Sequence, residues 1–214
     1  MPEIGQRGEH MEITAGDYEV VKNNLELRLT GTVPKRVYQN APYRKVEDMV
    51  LTYRIRLKET ENSVISMIPT NNALKKWRIS EQQLFHDAIE ADTKNRPPLL
   101  KRIKSILPDS IETEVEDSPL WVATVEGGAY GACVIVYPGF LEHAAEMLHG
   151  SFFVLPSSIH EVLLIPEKDV LGKVEELEAL VQNINRSDVQ PEERLSDSVY
   201  YYDASRRLFE KRIR

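Results

Sequence analysis

Cysteine is almost missing from these 214 residues, and Cys133 stands alone. One cysteine cannot close an internal disulfide, and with five scattered histidines it builds no zinc-binding spacing. A disulfide-stapled secreted scaffold and a zinc module are therefore set aside, and neither metal nor cofactor is expected. Long apolar runs are lacking too: none approaches the ~20 residues needed to span a bilayer. The N-terminal MPEIGQRGEHMEIT has no apolar core of the kind that marks a secretory signal. The expectation is a cytoplasmic protein without membrane contact. There is no GxSxG elbow, no HExxH, no internal repeat and no low-complexity tract. Net positive charge is also absent; the formal charge of −7 argues against broad, unspecific nucleic-acid binding. What is present is an ordinary globular balance, 42% hydrophobic and 29% charged, in a chain long enough for a sizeable core.

Periodicity supplies the elements. Leu25, Leu27 and Leu29 alternate with Glu26, Arg28 and Thr30, the period-2 pattern of a strand with one buried face. Residues 49–57 repeat it, with Leu51, Tyr53, Ile55 and Leu57 opposite Thr52, Arg54 and Arg56, and residues 64–68 read as the partner strand of an antiparallel hairpin. Between these strands, residues 34–44 form a loop made locally basic by Lys35, Arg36, Arg44 and the adjoining Lys45. Ser80 has the place of a helix N-cap, with Gln83 at the capping-box position, and Pro97-Pro98 ends the helix. Residues 99–107 read as a short helix and 109–117 as an exposed acidic connection. Strands are expected at 120–125, 152–155, 162–165 and 199–202, and helices at 140–149 and 170–184, with Gly150 as a left-handed terminator. Pro191-Glu192-Glu193 has the chemistry of another helix start. The β-branched run 133–137 is a strand or the body of a helix starting at Ala129. Residues 204–214 read as a basic amphipathic helix. Together these give an α+β fold: a mostly antiparallel mixed sheet with the helices at 80–92, 140–149 and 170–184 packed chiefly on one face. Residues 1–15 are expected to fray and residues 16–203 to form one domain, with a soft boundary near 108–118.

The best-placed polar cluster is Ser157, Ser158, His160 and Glu161, held between two apolar runs. A hydroxyl, an imidazole and a carboxylate are the residue types of nucleophilic catalysis. A serine hydrolase would use Ser157 or Ser158 as nucleophile, His160 as base, and Asp48 or Glu161 to orient it. Serines after a proline also make turns, and neighbours along a chain rarely face each other as a triad requires. Glu142, His143 and Glu146 share one helix, but no second ligand-bearing segment accompanies them. Gly127-Gly128-Ala129-Tyr130-Gly131 lacks the lysine and hydroxyl of a P-loop and the order of a dinucleotide fingerprint, which leaves a tight turn. Arg206, Arg207, Lys211, Arg212 and Arg214 can contact phosphate or an acidic protein, with Tyr200, Tyr201, Tyr202 and Phe209 near enough to stack on single-stranded bases.

YRKVEDMVLTYRI, ISEQQL, LWVATVEGGAYGACVIVYPGFL, LPSSIHEVLLIP and LSDSVYYYD are the segments that resemble a known group. Over residues 43–203 the chain is similar to an uncharacterised family of Firmicute proteins found in clostridial genomes and mobile elements; LPSSIHEV and LSDSVYYY are the most specific parts. The resemblance implies a host setting and a fold, and no reaction. The leading expectation is a non-enzymatic accessory protein of a mobile element or phage that binds a protein partner, an inhibitor or adaptor acting on a host defence system. Its binding residues would be Ser157, Ser158, His160, Glu161, Arg206, Arg207, Lys211 and Arg212. A Ser/His hydrolase is the alternative, and nucleic-acid binding through the basic C-terminal helix the second alternative.

Overall fold

The computed structural model describes residues 18–31, 39–60, 63–106, 118–170, 172–187 and 189–212. The fraying segment 1–15, Lys35, Arg36, Arg214 and, apart from Ser118, the boundary at 108–118 lie outside the described residues. The class is α+β, with antiparallel strands divided between two sheets.

The first sheet is centred on the long strand β3 (Met49–Thr60). Strand β1 (Leu25–Thr30) pairs along it from Leu25↔Ile55 to Thr30↔Val50, and β2 (Tyr43–Val46) and β4 (Ser63–Met67) also pair with β3. The register sets Leu25, Leu27 and Leu29 beside Ile55, Tyr53 and Leu51, and all six are buried. Helix α1 (Tyr18–Val21) precedes β1, and α2 (Asn71–Trp77) begins where the Thr70 side chain accepts from the Ala73 N–H. Helix α3 (Glu81–Asn95) begins as expected: Ser80 Oγ accepts from the Gln83 N–H at 3.1 Å. It lays Leu84, Ala88 and Ala91 on β1. Burying Leu27 and Leu84 completely contributes roughly 1.5–3 kcal/mol each.

The second sheet has the order β10-β9-β7-β8-β6-β5. Its members are β5 (Pro98–Arg102), β6 (Trp121–Val125), β7 (Phe152–Pro156), β8 (Val162–Pro166), β9 (Tyr200–Asp203) and β10 (Leu208–Lys211). One face contributes Phe152, Val154, Val162, Leu164, Tyr200 and Tyr202 to the main core, which it shares with the first sheet and with α4 (Phe140–Leu148). The other face, with Phe153, Leu155, Ile165, Val199 and Tyr201, is covered by α5 (Val174–Ser187) through Val181. The helices thus lie on both sides of this sheet.

Several elements differ from the sequence reading. The described part, 99–106, of the helix expected at 99–107 is not one: Leu99 and Leu100 sit in β5, followed by a 3-10 turn at Ile103–Ser105. An apolar pair flanked by basic residues fits an edge strand as readily as a helix, and the ladder to β6 decides between them. The run left open at 129–137 is a 3-10 helix, Gly131–Val136, whose Ala132, Cys133 and Val134 are fully buried. Over its described residues, 204–212, the basic tail expected as a helix at 204–214 is not one either. A turn at Ala204–Arg207 folds β10 back on β9, because Asp203 Oδ1 accepts from the N–H groups of Ser205 and Arg206 and from Ser205 Oγ. Residues 191–193 make one 3-10 turn, and α5 starts at Val174 rather than at residue 170. At the end of α4 it is His149 that takes the left-handed conformation (φ 61°), before Gly150.

Candidate functional site

The serine–histidine loop joins β7 to β8, as the alternating apolar runs imply. Within it, Ser157 Oγ and Ser158 Oγ both donate to Glu161 Oε1, at 3.3 and 3.0 Å. Ser158 Oγ also accepts from the His160 backbone N–H. The His160 ring turns the other way. Its Nδ1 accepts from the Tyr130 N–H at 3.1 Å, which leaves the proton of a neutral ring on Nε2, 3.5 Å from Glu193 Oε1. Among the described residues no hydrogen bond joins either hydroxyl to the imidazole. Asp48 does not orient His160: its carboxylate accepts from Ser196, Ser198, Tyr200 and Lys211. The four polar residues therefore form a hydrogen-bonded turn, and the nucleophile–base link of the hydrolase reading is not assembled in it.

The basic C-terminal residues do not form one face. Lys211 Nζ is paired with Asp48 at 2.7 Å, and the Arg212 guanidinium stacks 4.1 Å above the Tyr201 ring. Arg206 and Arg207 sit in the exposed turn. Tyr200, Tyr201 and Tyr202 are buried, against Phe209, Phe153 and Phe152 respectively, so their rings are core rather than a platform for bases. In the same way Arg44 is a staple: it grips Glu81 with two bonds, at 2.7 and 2.9 Å, over the Phe85 ring, and Tyr53 OH donates to the same carboxylate. His86, Asp87 and Glu90 stand within 4.8 Å of one another on the outer face of α3, where Asp87 already accepts from Tyr18 and Gln83. Glu142, His143 and Glu146 lie on α4.

Two further constellations were not singled out in the sequence. The first is a buried ionic staple. Asp92, with no exposed surface, accepts from Arg96 Nε (2.6 Å), Arg96 Nη2 (2.8 Å) and the Leu27 N–H (3.0 Å). Arg96 also donates to Leu27 O and Ala129 O. Helix α3, strand β1 and the glycine turn are thereby tied at one point. Burial pulls the Arg96 guanidinium down, and the Asp92 carboxylate more than offsets it, holding Arg96 above its ordinary range. Cys133 lies 3.8 Å from Asp92 Oδ2, and burial, with the carboxylate next, pushes its thiol up to about 12. The signal available in the sequence was a carboxylate and a guanidinium at i and i+4 beside the apolar stripe of Leu84, Ala88 and Ala91.

The second is a cleft of about 270 Å³ over the outer face of β1 and β3, lined among others by Glu26, Arg28, Arg56, Arg96, Glu126 and Tyr130. The glycine turn builds its wall. Gly127 and Gly128 take φ of +82° and +72°, and a Cβ on Gly131 would fall 2.1 Å from Thr124 Oγ1 and 2.6 Å from His160 O. That close approach presents Tyr130, itself left-handed at φ 56°, between two partners. The Arg28 guanidinium lies 3.6 Å from its ring centroid on one side, and the His160 ring is 5.3 Å away. Opposite, Glu26 is 5% exposed and pairs with Arg56 at 2.5 Å and with Arg28 at 3.7 Å. Arg54 faces Glu26 across the ladder. Burial and the neighbouring Arg28 charge hold its guanidinium below the ordinary range. The Nε atoms of Arg28 and Arg54 are both buried without a hydrogen-bond partner.

Fold and site together define an α+β protein of two antiparallel sheets, pinned by an internal Asp–Arg pair, with an arginine-rich cleft beside a serine–histidine turn. The chain belongs to a family of unknown function, DUF5688, which matches residues 5–204. No curated protein and no solved structure matches it. No helix among the described residues is long and apolar enough to cross a membrane.

Proposed function

We propose that the chain is a non-enzymatic, partner-binding accessory protein of a mobile genetic element or phage, working in the cytoplasm as an inhibitor or adaptor on a host defence system. The host setting is supported by the resemblance of residues 43–203 to mobile-element proteins of Firmicutes. The binding reading is carried by one observation: the ridge Glu193–His160–Tyr130 is polar and part-exposed, with the buried Arg28 stacked on the Tyr130 ring, and hydrogen bonds to its backbone and ring atoms tie it down. Tyr130 N–H donates to His160 Nδ1, Ile159 N–H to Glu193 O, and Thr124 Oγ1 to His160 O. A surface held in this way enters a complex without a large ordering cost. A ring stacked on an arginine is also the kind of anchor that dominates protein interfaces.

The test is affinity capture from host lysate with the intact chain and with Tyr130→Ala and Glu193→Gln, each checked for an unchanged fold by circular dichroism. A host protein recovered by the parent and lost with both variants supports the proposal. Equal recovery with all three chains places the contact elsewhere and overturns it. Covalent labelling of Ser157 or Ser158 by a fluorophosphonate would revive the hydrolase reading in its place.

A further inference from the structure

The two ring nitrogens of His160 are set to opposite tasks. Nδ1 accepts from the Tyr130 N–H at 3.1 Å, and Nε2 lies 3.5 Å from Glu193 Oε1. A neutral ring serves both, with a lone pair toward Tyr130 and a proton toward Glu193. An imidazolium cannot, because both its nitrogens carry protons, and turning the ring over brings no acceptor back. Protonation therefore sets the Nδ1 proton against the Tyr130 N–H, while the new charge draws Nε2 toward the Glu193 carboxylate. The imidazole side chain is 33% exposed, so the proton can come from water. The receiving end is as sharply defined. Tyr130 is held at φ 56°, where a side chain stays only under constraint. The turn is anchored on both sides of it without help from the imidazole: Arg96 donates to Ala129 O at 2.7 Å, and the Ala132 N–H donates to Ile159 O at 3.3 Å. Loss of the imidazole bond is thus felt at Tyr130 rather than along the whole turn.

We propose that His160 is a proton-operated latch on the glycine turn. Neutral, it holds Tyr130 over the Arg28 guanidinium, 3.6 Å from the ring centroid, as part of the cleft wall. Protonated, it turns to Glu193 and lets Tyr130 leave Arg28. Glu193 comes from the 3-10 turn at 191–193, with the exposed Glu192 before it and, after it, Arg194, whose Nε donates to Val189 O. In the loop of His160 itself, the Glu161 carboxylate is turned to Ser157 and Ser158. Strand β6 brings the neutral Thr124 hydroxyl, which donates to His160 O. Beyond Tyr130 the cleft carries Glu26 and Arg28 of β1, Arg56 of β3, and Arg96 and Glu126. Glu193 attracts an imidazolium and Arg28 repels it, so both drive the ring the same way, off Tyr130 and toward the 191–193 turn. The latch belongs to the free chain and needs no partner. What it adds to the partner reading is a ridge with two forms.

An NMR titration of the isotopically labelled full chain, alone in solution, from pH 8 to pH 5 tests it. That range brackets the ordinary histidine value of about 6.5. At pH 8 the imidazole nitrogen shifts should report an unprotonated Nδ1 and a protonated Nε2. As the ring takes up its second proton, the Tyr130 amide resonance should move in step, with the same midpoint. Its exchange protection, corrected for the intrinsic rate, should fall roughly tenfold, while the Ala132 amide keeps its protection. In His160→Gln the side-chain oxygen is an acceptor at every pH, so the Tyr130 resonance should stay level across the range. Glu193→Gln removes the carboxylate that draws the charged ring, and should carry the ring curve and the Tyr130 curve to lower pH together. Several results overturn the latch: a protonated Nδ1 at pH 8, a ring that takes up no proton above pH 5, or a Tyr130 amide that stays put while the ring titrates. The same Tyr130 shift in folded His160→Gln does so too, as do two curves that separate in Glu193→Gln. Because no partner is present, failure here leaves the partner reading standing, and failure of the lysate capture leaves the latch standing.

Discussion

Replacing Asp92 with asparagine keeps the shape of the buried staple and removes its negative charge. In the native chain this carboxylate accepts three hydrogen bonds of 2.6–3.0 Å from Arg96 and from the Leu27 N–H. The Arg96 side chain is 7% exposed, so water cannot take over the lost pairing. Breaking a buried ion pair by removing one partner costs about 3–5 kcal/mol, against a total stability of about 5–15 kcal/mol for a typical domain. For a chain of this length, ~2–4 °C of melting temperature accompany each kcal/mol, so Asp92→Asn should melt about 6–20 °C below the parent. Thermal circular dichroism measures that directly. Cys133 gives a second readout from inside the staple. Its thiol, buried and pushed up to about 12, should react with an alkylating reagent only when the site opens, and Asp92→Asn should accelerate that labelling. Arg96 also holds Leu27 O and Ala129 O, so removing both charges in Asp92→Leu with Arg96→Met should cost less than the sum of the single changes without restoring the parent. A loss below about 1 kcal/mol for Asp92→Asn, with unchanged Cys133 labelling, would refute the view that this pair holds α3, β1 and the glycine turn together.

Acid should weaken the fold through two other carboxylates. Burial alone would raise Asp48 and Glu81, but hydrogen bonds from Lys211 and Tyr200 to the one, and from Arg44 and Tyr53 to the other, outweigh it and hold both below the carboxylate range. Groups depressed in this way contribute stability that is complete above their unfolded values, about 4, and is lost as pH falls through the folded ones. The melting temperature should therefore drop between pH 5 and pH 3, and Asp48→Asn or Glu81→Gln should flatten that limb; an unaltered acid limb in both variants counts against the assignment. Gly131→Ala and Gly127→Ala separate two reasons for glycine in one turn. The first pushes a methyl group to 2.1 Å from Thr124 Oγ1 and should cost about 1–3 kcal/mol or more. The second meets open space and bears only the positive φ, about 1 kcal/mol by urea denaturation.

Much of the frame was readable because it depends on local periodicity. Alternation in residues 25–30 and 49–57 is what a sheet with one leucine-rich face requires, and the Ser80 cap and the two strands flanking the serine–histidine turn follow from equally local rules. The elements that escaped are those whose form is decided by remote neighbours. Residues 131–136 have strand-like composition, but the ladder beside them is taken, since β6 pairs with β5 and β8, and the run winds into a buried 3-10 helix instead. The tail carries a helical spacing of apolar residues, yet an aspartate-anchored turn and the open edge of β9 convert it to a strand. The cleft was hidden for the same reason. Glu26, Arg28 and Arg56 occupy the polar side of alternating strands, where solvent is the default expectation, and only the fold brings Tyr130, about a hundred residues from Arg28 in the chain, onto the Arg28 guanidinium. The segments with the most specific look in the sequence are instead engaged in structure. Ser196, Ser198 and Tyr200 converge on Asp48 to bind the second sheet to the first, while Ser157 and Ser158 close on Glu161. A hydroxyl already donating to an internal carboxylate has little left to offer a ligand. The Nε atoms of Arg28, Arg54 and Arg212 are buried without a hydrogen-bond partner, so among the described residues buried donors are left unused on arginines and not in the serine–histidine turn.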